Sequence, residues 1–203
     1  MGKVKAKKQN TFIDMTAMSD VTVLLLTFFM LTATFLPKEP VQVLTPASVS
    51  EVKVPEYNTM TILITPKGQV FLNLDRPDIK VAVLDSMGRD YGMTFTDRQK
   101  RAFIEDSHIG VPMGQMSVYL NKHQMSRNDD IRQMGIPTDS INNQLARWVT
   151  YARRASGKEM RIAIKSDQIT PYPLVSGVIK TLVELKENRY SLITTLRAMP
   201  SGL

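Results

Sequence analysis

The chain has 203 residues and a formal net charge of +7, which leaves room for one anchor and one modest globular domain. It contains no cysteine, which excludes a disulfide framework and a thiolate metal site. The clearest charge cluster is a group of N-terminal lysines with no acid among them: Lys3, Lys5, Lys7 and Lys8. Nucleic-acid binding needs a basic face with interleaved aromatic residues, which the sequence does not show, so the cluster favours a membrane surface.

An apolar segment follows the lysines and predicts a transmembrane helix over residues 15–36. A helix of that length just crosses a hydrocarbon core of roughly 30 Å. Lysines precede the segment and the polar residues 37–40 follow it, so the positive-inside rule makes residues 1–14 a cytoplasmic tail. A cleaved signal peptide has a similar outline, but the acid at the start of the run and the lack of a convincing cleavage site argue against it.

One face of this helix is a polar stripe centred on Asp20, the only ionisable residue of the segment. At 100° per residue, the positions within roughly 40° of it are Thr16, Leu24, Thr27, Leu31 and Thr34. A charged carboxylate at this depth costs roughly 2.5–3.5 kcal/mol on insertion scales, so we expect a functional reason for it. Asp14 lies nearer the lysines and is expected at the interface.

Two alternatives stay open for the stripe. Asp20 can snorkel to the cytoplasmic interface, because it lies only about one helical turn inside the membrane edge. The threonines can bond their own helix backbone and serve only helix packing.

Residues 37–58 are rich in Pro, Val and Ser and predict an extended periplasmic linker with no apolar face, with strand character at Val41 to Leu44. The folded domain is expected over residues 59–203. It begins with two β-rich runs on either side of the turn signal Thr65-Pro66-Lys67-Gly68, which predicts a hairpin.

The C-terminal part predicts four elements that alternate between helix and strand: a helix at 138–154, a strand at 160–166, a helix at 171–187 and a strand at 190–196. Thr138 or Asp139 can cap the first helix, and Gly157 can stop it. Pro171 opens the second helix. The predicted fold class is a single transmembrane α-helix followed by a small α+β periplasmic domain of order β-β-insertion-α-β-α-β.

Residues 75–137 exceed what this order requires, and we predict that they form an insertion on the domain surface. Within it, the sequence predicts two capped helices and one strand or other short element: Asp78 to about Met87, Thr96 to about Glu105, and Met113–Leu120. The insertion contains no recognisable metal loop or phosphate loop.

Catalytic motifs are lacking. The sequence has no His-x-x-x-His pair, no Gly-x-Ser-x-Gly elbow and no Gly-rich phosphate loop. The only histidines, His108 and His123, lie among polar neighbours without a second ligand at a metal spacing, which predicts solvated loop positions. We therefore expect no enzymatic activity and no metal site.

Three ordered segments resemble the ExbD/TolR family of biopolymer transport proteins: Met15–Val21 with the apolar run after it, Val41–Ser48, and Ile162–Val175. The first is similar to the family's anchor and places Asp20 on its membrane aspartate. The third resembles a strand-Asp-x-x-x-x-Tyr-x-x-Val signature, with Asp167 and Tyr172 at its fixed positions. Two features depart from the family pattern. Ala17 stands where the family usually has a proline before the aspartate, and the insertion is much longer than the family requires.

The resemblance implies a motor subunit of the bacterial inner membrane that is driven by the proton-motive force. Family members place two copies of the single helix inside a ring of an ExbB/TolQ-like protein and turn inward proton flow into motion. That motion drives a TonB-like partner in the ExbD branch and the Tol-Pal machinery in the TolR branch, and the sequence leaves the branch open.

The implied site has Asp20 as its proton-translocating residue, with protons as coupling ion and no other cofactor. The stripe threonines Thr16, Thr27 and Thr34 are the corresponding candidates for a polar pathway. The alternative function is a structural protein that anchors an envelope-binding domain and conducts nothing.

Overall fold

The computed structural model describes residues 15–33, 40–48, 57–139, 142–157 and 160–196. They fall into two compact units, residues 1–38 and residues 39–203. In the first unit, helix α1 spans Met15–Thr32. The second unit contains, in chain order, β1 (Ala47–Ser48), β2 (Thr59–Ile64), β3 (Val70–Leu74), α2 (Pro77–Asp90), α3 (Asp97–Glu105), α4 (Met113–Leu120), α5 (Gln124–Ile131), α6 (Gln144–Ser156), β4 (Arg161–Ser166), α7 (Tyr172–Glu184), β5 (Tyr190–Leu192) and β6 (Thr195–Leu196).

Helix α1 is mostly apolar and has no buried residue. Its 18 residues correspond to about 27 Å of helix, and it is long and apolar enough to cross a membrane. No Gly or Pro interrupts the sequence between Met15 and Thr32, so the backbone ladder is continuous. The predicted end at residue 36 lies outside the described residues.

The second unit is built on a mixed four-stranded sheet with the order β3-β2-β4-β5. Strands β2 and β3 form the predicted antiparallel hairpin, and Gly68 takes the positive φ of 80° that its turn requires. Strands β2, β4 and β5 run parallel. Consecutive residues Ile62, Leu63 and Ile64 are all buried, so both faces of the sheet are covered.

This architecture confirms the predicted fold class. An N-terminal apolar helix precedes a small domain in which β2, β3, α6, β4, α7 and β5 follow the predicted order, with α2 to α5 between the hairpin and α6. Gly157 ends α6 with a positive φ of 75°, and Thr96 caps α3 through a capping box with Gln99.

The insertion is not a surface excursion, which corrects the prediction. Its helices α2, α3 and α4 contribute fully buried side chains to the domain core, including Val83, Leu84 and Met113. The ring of Phe103 in α3 stacks on Trp148 in α6 at 6.1 Å between centroids. The apolar residues of α2 recur at helical spacing, so they form a stripe that needs a partner surface, and α6 supplies it.

The insertion also covers the outer edge of β3. Leu72 exchanges both backbone hydrogen bonds with Ile109, at 2.8 and 2.7 Å, and the Ile136 amide donates to the Val70 carbonyl at 2.8 Å. An exposed strand edge invites pairing with another chain. In this protein, the insertion supplies hydrogen-bond partners for the backbone groups at that edge of β3.

Several local predictions are wrong in detail. Val41 to Leu44 is not a strand, and the linker pairs instead through β1, which runs parallel to β6. The predicted strand 190–196 divides into β5 and β6, which belong to different sheets. Each error concerns a short segment whose partner is distant in the chain.

Two predicted helix starts are also displaced. Helix α6 is capped by Asn143, whose side chain accepts from the Ala146 amide at 3.0 Å, rather than by Thr138 or Asp139. Asp78 lies in the first turn of α2 and pairs with Arg76 instead of capping it. Helix α2 then continues to Asp90, beyond the predicted Met87. Met113–Leu120, left open as a strand or other element, is helical.

Candidate functional site

Helix α1 places the predicted stripe residues on one face. Thr16, Asp20 and Thr27 are separated by four and seven residues within a continuous helix, so their side chains point to the same side. Asp20 is the only ionisable residue among the described positions of α1. Thr34, the last predicted member of the stripe, lies outside the described residues, as does Asp14.

Three threonines of α1 bond their own helix backbone: Thr22, Thr27 and Thr32. The Thr27 hydroxyl donates to the Leu24 carbonyl at 2.9 Å, and the Thr22 hydroxyl donates to the Met18 carbonyl at 2.6 Å. Such bonds satisfy the hydroxyl hydrogen inside an apolar environment. A hydroxyl oxygen that donates in this way still has lone pairs that can accept from a water molecule or an acid.

In the second unit, Asp167 holds residues 40–48, hereafter the post-membrane segment. Its carboxylate oxygen Oδ2 accepts the Leu44 amide at 3.0 Å, across 123 residues of sequence. Its Oδ1 accepts the Ile169 amide at 3.0 Å, which fixes the turn that follows β4. The Gln168 amide donates to the Leu44 carbonyl at 2.8 Å. Asp167 therefore joins the end of the sheet to the chain that leads from α1.

A second contact holds the N-terminal end of the same segment. Arg132, just after α5, donates from Nε to the Pro40 carbonyl at 2.9 Å. The next residue, Val41, is 7% exposed and belongs to the domain core. The prediction that this linker has no apolar face is thus wrong for Val41. Sequence reasoning missed Arg132, because no local pattern connects it to a residue 92 positions away.

The second signature residue, Tyr172, is on the surface. It begins α7 directly after Pro171, and its side chain is 75% exposed. The backbone amides of Leu44 and Ile169 donate to the Asp167 carboxylate. The side chains of both residues are about as exposed as that of Tyr172. The end of the sheet thus presents large apolar side chains around a buried aspartate.

A cluster of buried charges lies in the insertion. The Arg127 guanidinium donates to the Asp106 carboxylate at 3.1 Å and to the carbonyls of Ala102 and Lys122. Arg127 and Asp106 are both almost fully buried. Burial raises the pKa of Asp106, and the charge of Arg127 opposes that shift. Burial likewise raises the pKa of the neighbouring Tyr119.

Lys80, in α2, is the third buried charged residue of this cluster. Its Nζ donates to the carbonyls of Asp106 at 2.7 Å and Ile104 at 3.2 Å, which lie at the C-terminal end of α3. A cation at that end satisfies carbonyls that have no helical partner. Burial lowers the pKa of Lys80. The cluster therefore ties α2, α3 and α5 together.

The two histidines differ from each other. His123 is exposed at the start of α5, as predicted. His108 is buried, and its Nδ1 lies 2.9 Å from the Ser107 hydroxyl, so its predicted solvated position is wrong. The pairing of Ile109 with β3 draws this loop against the sheet and buries its neighbour. Within the part of the chain that the structure describes, no group of three or more metal-binding side chains is found.

An exposed apolar helix with a single carboxylate, long enough to cross a membrane, precedes a small domain built on a mixed four-stranded sheet, which is the outline of a membrane-anchored protein. Comparison with known families identifies the family of the chain. Residues 6–196 match the family described as biopolymer transport protein ExbD/TolR, which is essentially the whole chain, and the chain belongs to that family. Its general role is that of an energising accessory in biopolymer transport. Searches of curated proteins and of solved structures found no match.

Proposed function

We propose that this protein is a motor subunit of the inner membrane in which Asp20 carries protons down their gradient. The observation that supports the proposal is the position of Asp20, the only carboxylate among the described residues of an exposed, mostly apolar helix. Burial of a carboxylate in a helix bundle disfavours its ionised form relative to its neutral form. The available driving force is roughly 2.3 kcal/mol per charge per 100 mV.

Protonation changes the surroundings that Asp20 prefers. The neutral acid is stable against apolar side chains, whereas the ionised form needs water or a polar partner. Each proton transfer therefore shifts the balance between two orientations of α1, which is what a switch requires. Thr16 and Thr27 lie on the same face and are the described residues we propose as its polar pathway.

Helix α1 needs partners to work in this way. A polar stripe is poorly satisfied in lipid, and two copies inside a ring can turn their stripes inward. We propose an ExbB/TolQ-like ring around a homodimer of this chain, with either a TonB-like protein or the Tol-Pal machinery as the driven outer-envelope partner. The family to which the chain belongs supports this partner system in general. The exposed Tyr172 is available for a contact with the driven partner.

Proton flux tests the function directly. The chain is co-expressed and purified with an ExbB/TolQ-like ring protein, and the complex is reconstituted into vesicles that carry a pH-sensitive dye. With an imposed membrane potential, we expect proton uptake clearly above that of vesicles with the ring protein alone. A complete complex that conducts no more than the ring alone would support the non-conducting anchor instead.

The proposed orientation places the N-terminus in the cytoplasm and the second unit in the periplasm, because lysines precede α1. The chain has no native cysteine, so single cysteines report topology without background. We expect Met125→Cys, which is 76% exposed, to react with an impermeant maleimide in intact spheroplasts. Lys5→Cys should react only after lysis. The reverse pattern would overturn both the orientation and the direction of proton flow.

A further inference from the structure

An open cavity of about 970 Å³ lies at the end of the sheet where β4 and β5 begin. Its lining includes four cationic residues and one acid: Arg153, Arg161, Lys186 and Arg189, with Glu187. The post-membrane segment contacts the opposite end of the sheet, at Asp167 after β4. The post-membrane segment therefore does not cover this cavity.

The acid of the cavity already has a cationic partner. The side chains of Arg153 and Glu187 are joined by two hydrogen bonds, one of them 2.8 Å from Nε to Oε1. Arg153 also donates to the Met160 carbonyl. Among the residues that the structure describes, the other three cations of the cavity form no ion pair. Three positive charges thus line one cavity without a described counter-charge.

The sheet brings two of these cations next to each other. Ile162 of β4 is the parallel partner of Tyr190 of β5, and Arg161 and Arg189 are the residues immediately before that pair. Neighbouring strands are only about 4.8 Å apart, so the two guanidinium groups repel each other. A bound anion relieves that repulsion, and guanidinium groups bind phosphate through paired N–H donors.

The third cation, Lys186, occupies a backbone position that favours glycine. Helix α7 ends in a Schellman motif, in which the Glu187 amide donates to the Leu182 carbonyl and the Lys186 amide donates to the Val183 carbonyl, both at 2.9 Å. Lys186 has a positive φ of 62° in this motif, and glycine adopts that conformation without the steric cost of a side chain. The lysine therefore lowers the stability of the helix end while it adds a third cation to the cavity.

We propose that Arg161, Lys186 and Arg189 bind a phosphate group of an anionic ligand. A phosphate monoester is close to doubly negative at neutral pH and has three strong acceptor oxygens, which suits three cationic donors. The cavity is much larger than one phosphate ion and has the size of sites that hold organic ligands, so the phosphate belongs to a larger molecule. That molecule is either a free phosphate chain or the headgroup of a lipid. The site lies within the second unit and is independent of the proposed motor function.

Binding is tested by titration calorimetry of the full-length chain in a non-ionic detergent at physiological ionic strength, which screens weak surface attraction. The probes are tripolyphosphate, a free phosphate chain, and glycerol 3-phosphate, which carries the phosphate monoester of a lipid headgroup. We expect saturable binding at one site per chain, and the probe that binds more tightly identifies the source. Citrate, a multivalent carboxylate, should bind more weakly than that probe. Citrate binding of equal strength would overturn the assignment to phosphate, and failure of both phosphate probes to bind would overturn the site.

A pair of charge-matched variants separates this site from general attraction to a basic chain. Arg161→Gln/Arg189→Gln should weaken phosphate binding by about tenfold or more, because it removes two of the three donors. Arg98→Gln/Arg101→Gln removes the same charge from exposed positions of α3 and should change the affinity by less than about twofold. Equal losses in the two double variants would overturn the site.

Lys186→Gly should weaken binding and stabilise the fold at the same time. Glycine accepts the positive φ, so the denaturant midpoint of the ligand-free variant should rise, whereas the affinity for phosphate should fall severalfold with the lost charge. Lys186→Met also loses the charge but keeps a side chain at this φ, so it should bind as weakly without the gain in stability. Because Lys186→Gly is expected to fold at least as well as the native chain, its weaker binding cannot come from unfolding. Native affinity in both variants would overturn the three-cation site.

Discussion

Asp20→Asn should abolish energy coupling and leave the protein inserted and assembled. Asparagine keeps the size and the hydrogen-bonding capacity of the side chain, but it cannot exchange a proton at any relevant pH. Proton uptake in the vesicle assay should fall to the level of the ring protein alone. Energy-dependent uptake or envelope maintenance should be lost in cells that contain normal amounts of the variant.

Two further substitutions sharpen this result. Asp20→Glu keeps the titrating group but moves it about one methylene outward, and a packed bundle tolerates such a shift poorly, so partial activity is expected. Asp14→Asn should be nearly silent, because a residue near the lysines can reach water. Full function of Asp20→Asn, with normal protein levels and an intact gradient, would leave α1 a plain anchor.

The largest effect on stability is expected at Arg127. Arg127→Met removes the partner of a buried carboxylate, and breaking a buried ion pair in this way costs about 3–5 kcal/mol of unfolding free energy. The lost bonds from Arg127 to the carbonyls of Ala102 and Lys122 add to the cost. Denaturant unfolding of the full-length chain in detergent, followed by Trp148 fluorescence, measures the difference. Trp148 reports on this region because its ring stacks on Phe103 in α3.

A matched control uses the surface pair next to it. Lys122 and Asp130 are 2.7 Å apart, and their side chains are 43% and 28% exposed. Lys122→Met should cost no more than about 1 kcal/mol. The double variant Arg127→Met/Asp106→Asn should be more stable than Arg127→Met alone, because it no longer buries an unpaired charge. A double variant that is less stable than Arg127→Met would show that the unpaired charge of Asp106 is not the source of the loss.

The effect of Arg127→Met should also depend on pH. Burial raises the folded-state pKa of Asp106 above its ordinary 3.8, and loss of Arg127 removes a charge that opposes this shift. A raised acid pKa means that the folded protein binds the proton first as the pH falls, so the group favours folding at acidic pH and loses that contribution as the pH rises. The destabilisation by Arg127→Met should be largest at neutral pH and shrink toward pH 4, measured against the native chain at each pH.

Local sequence patterns determined the order of elements. Helix α1 follows from an uninterrupted apolar run with one acid, and the hairpin of β2 and β3 follows from a turn signal between β-rich runs. The capping box at Thr96 could be read directly, since all its residues lie within four positions. The functional role of Asp20 was also predicted from sequence, and it stays a prediction that the flux assay tests.

Only the tertiary structure decided which of these elements meet. The contact of Asp167 with Leu44 spans 123 residues, and that of Arg132 with Pro40 spans 92, so no local spacing encodes either one. The insertion was predicted to lie on the surface because the order of elements does not require it, yet it packs against α6 and pairs with β3. Periodicity shows that a helix has an apolar face, but the surface that covers the face is set by the path of the whole chain.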